Sequence, residues 1–160
     1  GVELNSFSKT YGMAGARLGV MAGNREAVQA YRELKSNLDY GIFLPVQYGG
    51  IEALEHGGAA IPETRKEYER RRNCLVAEFA KAGWVIPPCK ATMFLWAPVP
   101  SGMDSETFAR LLAEKAGVLV TPGIRFGSQG EGFVRIAMVQ DEDMIRKAAE
   151  QIRASGLFRR

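Results

Sequence analysis

The sequence predicts an α/β protein in two parts. Residues 1–58 hold too few strands to close a sheet, and residues 59–160 read as a small two-layer α/β domain. Three observations carry this prediction. Short strand-like runs alternate with amphipathic helical runs along the chain. A glycine pair, Gly57-Gly58, interrupts that alternation. Beyond the pair the order is long helix, strands, helix, strand, strand and helix, which suffices for a sheet with a helical layer against it.

In the first part, Val2–Leu4 has the texture of a strand end. A loop of small residues follows, and "ARLGVMAG" reads as a second short strand closed by Gly23-Asn24. Asn24 is a good N-cap for "REAVQAYRELKSNL", where Val28, Tyr31 and Leu34/Lys35 recur at helical spacing. Gly41 and Pro45 break regular structure in "DYGIFLP", and Pro45 can open the short helix "VQYGGIEALEHGG".

In the second part, a long helix is predicted from near Pro62 to Gly83, with Leu75, Val76 and Phe79 on its apolar stripe. Its run "TRKEYERRRN" interleaves Glu67 and Glu69 with the basic residues, and Glu63 lies just upstream. That pattern argues for a solvated, ion-paired face rather than a nucleic-acid patch. "WVIPP" and "ATMFLWAPVP" read as strands broken by prolines, with Trp84 and Trp96 in the core. "DSETFARLLAEKAG" is a helix capped by Asp104 or Ser105 and ended by Gly117. "VLVTPG" and "FVRIAMV" read as strands, and "IRFGSQGEG" as a turn between them rather than a nucleotide loop. The last helix, "DEDMIRKAAEQIRAS", has acidic residues in its first turn, where the helix dipole favours them. Met144, Ile145, Ala148 and Ile152 are its expected buried face.

Bulk properties exclude several function classes. The 160 residues are 46% apolar and 24% charged, ordinary for a soluble globular protein. A net charge of +3 does not argue for nucleic acid. No apolar run approaches bilayer length and no secretory signal is visible, so a cytoplasmic protein with no membrane partner is expected. Cys74 and Cys89 are expected to be free thiols. With His56 the only histidine, neither a metal site nor a histidine-based triad is expected from this chain.

The chemistry concentrates near the first residue, in "NSFSKTYGMAGARLGV". Lys9 lies among the hydroxyl residues Ser6, Ser8 and Thr10. Gly12, Gly15 and Gly19 let backbone approach a ligand closely. Arg17 adds a permanent cation whose planar donor fork suits a phosphate dianion. Hydroxyls and an arginine make a phosphate cup, and a lysine beside it can reach an aldehyde on the same ligand. Free lysine, with a pKa of about 10.4, is mostly protonated at neutral pH, and desolvation or a neighbouring cation would lower that value.

This segment resembles the cofactor-lysine segment of the fold-type I pyridoxal-phosphate aminotransferases. The family signature is a serine, the Schiff-base lysine three positions on, and an arginine eight positions further, a spacing that Ser6, Lys9 and Arg17 match. By resemblance, Lys9 is the catalytic lysine that carries pyridoxal 5'-phosphate and moves the substrate's α-proton. Ser6 and Arg17 would bind the phosphate, with Ser8 a weaker candidate. "KSNLDYGIFLPVQYGGIEAL", "KATMFLWAPVP", "GVLVTPGIRFG" and "GEGFVRIAM" resemble successive segments of the branch holding LL-diaminopimelate, aspartate and alanine aminotransferases. On this resemblance, residues 1–58 end the large cofactor domain and 59–160 form the small C-terminal domain.

Arg135 stands in the apolar strand "FVRIAMV", sharing a face with Phe133 and Ala137. A buried arginine is costly without an anionic partner, so a structural ion pair is one reading. The resemblance implies another: Arg135 grips the substrate α-carboxylate. The family's ring-nitrogen aspartate, stacking aromatic and glycine-rich phosphate helix lie upstream of the lysine, and only eight residues precede Lys9 here. The chain is therefore expected to be the back part of a longer enzyme, inactive alone. The implied whole is a homodimer exchanging amino groups between amino acids and 2-oxo acids. A lyase or synthase of the same fold, or a non-catalytic binding domain, are the alternatives.

Overall fold

A computed structural model describes residues 1–158. They divide into two compact units, Gly1–Arg65 and the residues from Lys66 onward.

In the first unit, β1 (Val2–Ser6) and β2 (Gly19–Gly23) pair antiparallel, from Val2 opposite Gly23 to Ser6 opposite Gly19. The segment between them is not the open loop its small residues predict. Ser6 caps one helical turn, α1 (Phe7–Thr10), its Oγ accepting the Ser8 N–H at 3.2 Å. The turn exists because Phe7 has somewhere to go: Phe7 and Leu18 are the unit's buried large apolar side chains. The Phe7 N–H also donates to the Leu18 carbonyl at 3.1 Å.

Helix α2 (Arg25–Leu38) starts as its sequence predicts, with Asn24 Oδ1 accepting the Ala27 N–H at 3.0 Å. Its periodic residues Tyr31 and Leu34 are nevertheless exposed. Helix α3 (Leu44–Glu55) has Pro45 in its first turn. It passes close to the buried pair: a Cβ on Gly50 would lie 2.5 Å from Leu18 Cδ2 and 3.8 Å from Phe7 Cε1, so only glycine fits there without a shift.

Helix α4 (Ile61–Lys81) runs from the first unit into the second and buries Leu75 and Phe79. Its basic run is ion-paired as expected. Arg70 and Arg71 reach Glu67, and Arg72 reaches Glu69. Arg71 and Arg72 also donate to the Met138 and Cys89 carbonyls, so they tie the helix to neighbouring chain.

In the second unit, β3 (Phe94–Pro98), β4 (Thr121–Pro122) and β5 (Phe133–Ala137) form an antiparallel sheet in the order β3-β5-β4. One face carries Leu95, Ala97, Val134 and Ile136. These pack into the core with Phe79 and Trp84, with Phe108 and Leu112 of α5 (Ser105–Ala116), and with Ile145 and Ile152 of α6 (Glu142–Ser155). Each large side chain so buried contributes about 1.5–3 kcal/mol. The other face carries Phe94, Trp96, Phe133 and Arg135.

Three sequence expectations change here. "WVIPP" forms no strand: Trp84 and Ile86 alternate into the core, but Pro87 and Pro88 have no N–H to give a ladder. Trp96 is 39% exposed on the open face, whereas Trp84 is buried with Nε1 donating to the Pro98 carbonyl at 2.8 Å. Met144 is exposed, and Ala149 takes its place on the buried face of α6.

Among the described residues, no helix is long and apolar enough to cross a membrane. No group of three or more His, Cys, Asp or Glu among them could hold a metal ion.

Candidate functional site

The β1–β2 register decides where the lysine segment lies. Ser6 faces Gly19, and the Phe7–Leu18 hydrogen bond extends the pairing one step further. Lys9 follows by two residues on one side, and Arg17 precedes Leu18 on the other. Ser6, Lys9 and Arg17 thus lie in the connection at the same end of the hairpin. Ser6 is held at an extended backbone angle as the α1 cap, and its Oγ keeps its own O–H to donate. Lys9 is exposed in the last turn of α1, and among the described residues no carboxylate pairs with it.

Arg17 ends the 3₁₀ turn Ala14–Ala16 in the left-handed conformation, at φ 52°. A non-glycine residue there costs about 1–2 kcal/mol. Its Nη1 donates to the Ala14 carbonyl at 3.0 Å, which folds the side chain back along its own turn, and among the described residues no carboxylate pairs with it. A Cβ on Gly12 or Gly15 would meet nothing within 4 Å, so the backbone between the two cations is open to an approaching group.

Arg135 belongs to the second unit, on the sheet face opposite the core. Directly across the strands lie Trp96 and Thr121. The ion-pair reading fails among the described residues, where no carboxylate reaches it. Its guanidinium carbon lies instead over two rings, 4.4 Å from the Phe94 centroid and 4.6 Å from the Phe126 centroid. Its Nε is buried without a hydrogen-bond partner among the described residues. An orphaned buried donor is rare in a finished fold and asks for an explanation.

Sequence reasoning missed Phe126, which sits in the segment read only as a turn. That segment makes two 3₁₀ turns, Gly123–Phe126 and Ser128–Gly130, crossed so closely that a Cβ on Gly123 would lie 2.0 Å from the Gly130 carbonyl oxygen. At its end, the Glu131 carboxylate accepts the Gly132 N–H at 2.8 Å and the Ser105 N–H at 2.7 Å. These contacts, in that order, hold its pKa below the ordinary glutamate value. The available signal was an aromatic residue between glycines just before an arginine strand.

The chain matches the family model for aminotransferase class I and II over residues 1–152. It is 43% identical to the LL-diaminopimelate aminotransferase of Moorella thermoacetica over 153 residues, covering 96% of this chain and 39% of the relative. It is 42% identical to the glutamate-pyruvate aminotransferase AlaC of Escherichia coli, covering 96% of this chain and 38% of that protein. Among solved structures, apo-BacF from Bacillus subtilis superposes with a TM-score of 0.92 at 35% identity, over 96% of this chain and 39% of that one. The protein belongs to the class I and II aminotransferase family. The chain spans about two fifths of the length of the curated relatives it matches.

Pyridoxal phosphate is the cofactor of this family. The donor chemistry at the hairpin end suits that group: the exposed side chain of Lys9, hydroxyls on Ser6 and Ser8, and the guanidinium of Arg17, beside glycine backbone that a ligand can approach.

Proposed function

We propose that this chain is the lysine-bearing part of an aminotransferase that moves an amino group between an amino acid and a 2-oxo acid. The hairpin register carries this reading, because it sets Ser6, Lys9 and Arg17 at one strand end. In this reading Ser6 and Arg17, with Ser8 beside them, hold the phosphate of pyridoxal phosphate through charge-assisted hydrogen bonds. Arg17 takes its φ of 52° at a local conformational cost, as residues at functional sites often do, which supports this reading.

When bound, the cofactor supplies an electron sink for negative charge at the substrate α-carbon. Lys9 Nζ takes the proton that leaves that carbon and holds it until it is returned. Arg135 grips the α-carboxylate and so fixes the direction in which the Cα–H bond points. Residues 1–58 and 59–160 are the end of the large domain and the small domain of the whole enzyme. A cytoplasmic homodimer completes the reading. The test is amino-group exchange by the complete protein between L-glutamate or L-alanine and a 2-oxo acid. Oxo acid formation that disappears in Lys9→Ala is expected, and equal turnover by that variant would refute the assignment.

A further inference from the structure

We infer that Phe94 and Phe126 are positioning residues for carboxylate recognition, holding Arg135 by its faces so that its donors stay free for an anion. The inference rests on reading Arg135 as the carboxylate grip. An arginine on a sheet can be fixed by a carboxylate or by aromatic rings. A carboxylate fixes it by occupying the donor fork. A ring attracts the cation through its face and accepts no conventional N–H bond. Arg135 is held in the second way, at 4.4 and 4.6 Å from two ring centroids, with Nε left without a partner among the described residues.

The alternative is an aromatic cluster that packs for stability alone. Phe126 is 51% exposed, so burial does little to explain its place. Its backbone, by contrast, is tightly determined. Gly123 and Gly130 cross at a distance that admits no side chain, and Glu131 ties the far end of the segment to the start of α5. Arg125, next to Phe126, pairs with Glu106 at 2.6 Å. Trp96 meets the Phe126 ring edge-on at 5.7 Å and stacks on Phe133 at 5.7 Å, which supports the ring from the sheet. This half-exposed ring, held by so much structure, meets the guanidinium on its face and Trp96 beside it.

The experiment uses the complete, pyridoxal-phosphate-loaded protein, with propionate as the carboxylate probe and propionamide as the uncharged control. Binding is read from the cofactor absorbance. Phe126→Leu is expected to raise the propionate Kd about five- to thirtyfold, with KM for amino acid rising more than kcat falls. Phe126→Tyr keeps the ring face and should restore binding to within about twofold. Phe94→Leu provides the second variant, and melting temperature and cofactor absorbance check that each protein is folded and loaded. Unchanged propionate binding in both leucine variants, with Arg135→Lys weakened, overturns the aromatic role and leaves the arginine assignment standing. Unchanged binding in Arg135→Lys, or no propionate binding by the unsubstituted protein, overturns both.

Discussion

Ser105 is bonded twice to the Glu131 carboxylate, its backbone N–H to Oε1 at 2.7 Å and its hydroxyl to Oε2 at 3.0 Å. Ser105 is completely buried, and its Oγ also accepts the Ile124 N–H at 3.4 Å. One serine therefore joins the first turn of α5 to both ends of the segment that carries Phe126. Replacing it by alanine leaves that carboxylate and the Ile124 amide short of partners. A loss of about 1–3 kcal/mol in chemical denaturation is expected, whereas Ser128→Ala, on the exposed part of the same segment, should change stability by less than about 0.5 kcal/mol.

Glu131 gives this junction a pH dependence. Its folded pKa lies below the ordinary glutamate value, because the Gly132 and Ser105 amides favour the ionised form. A carboxylate depressed in this way contributes stability that is fully present above the unfolded value and is lost as pH falls through the folded one. The melting temperature should therefore fall in acid below the ordinary glutamate range. Asp104 at the α5 cap shifts in the same direction, so the comparison is between the parent and Glu131→Gln. The difference between the two should shrink as pH drops, and a constant difference would argue against the ionised contact.

The crossing of Gly123 and Gly130 predicts an intolerance that open-loop glycines do not share. A methyl group on Gly130 would lie 2.1 Å from the Gly123 carbonyl oxygen, with backbone rather than a flexible side chain in the way. Gly130→Ala should lower stability by about 2–4 kcal/mol. Gly12→Ala and Gly15→Ala meet no neighbour within 4 Å. Of these, Gly15→Ala should be nearly neutral, while Gly12→Ala carries the cost of its positive φ. Urea melts of the three variants separate the cases.

Arg17 combines a strained backbone with a guanidinium that no carboxylate among the described residues pairs with. Arg17→Gly removes the left-handed cost but loosens the unfolded chain by a comparable amount, so stability should stay within about 1 kcal/mol. If the guanidinium holds a phosphate, the same change removes a charge-assisted interaction of about 1.5–3 kcal/mol and weakens pyridoxal phosphate binding about ten- to hundredfold. A fluorescence titration with the cofactor, set beside a thermal melt, measures both. Unaltered affinity would remove Arg17 from the cofactor site.

How far the sequence could be read follows from what each feature depends on. The alternation Phe133, Arg135, Ala137 placed Arg135 on one sheet face, and the structure puts those three opposite the buried Val134 and Ile136. Local chemistry also sufficed for the caps at Asn24 and Gly117 and for the i,i+3 and i,i+4 pairs of α4. Features set by distant neighbours were not legible. "SFSKT" has the composition of a loop, and becomes a helical turn because Phe7 is drawn onto Leu18. "WVIPP" alternates like a strand but cannot pair through its prolines. The helical spacing of Val28, Tyr31 and Leu34 fixes a helix but not what covers it, and Tyr31 and Leu34 are exposed while Val28 is half-buried. The contact of Phe126 with Arg135 spans a loop whose path is set by two glycines meeting, and no periodicity encodes that.

Whether Lys9 carries the cofactor is decided by reductive trapping. The complete protein is loaded with pyridoxal phosphate, reduced with borohydride, digested and mapped by mass spectrometry. A phosphopyridoxyl group is expected on the peptide containing Lys9, with loss of that adduct in Lys9→Ala. A cofactor adduct on another lysine of the parent protein, with Lys9 unmodified, would contradict the Lys9 assignment.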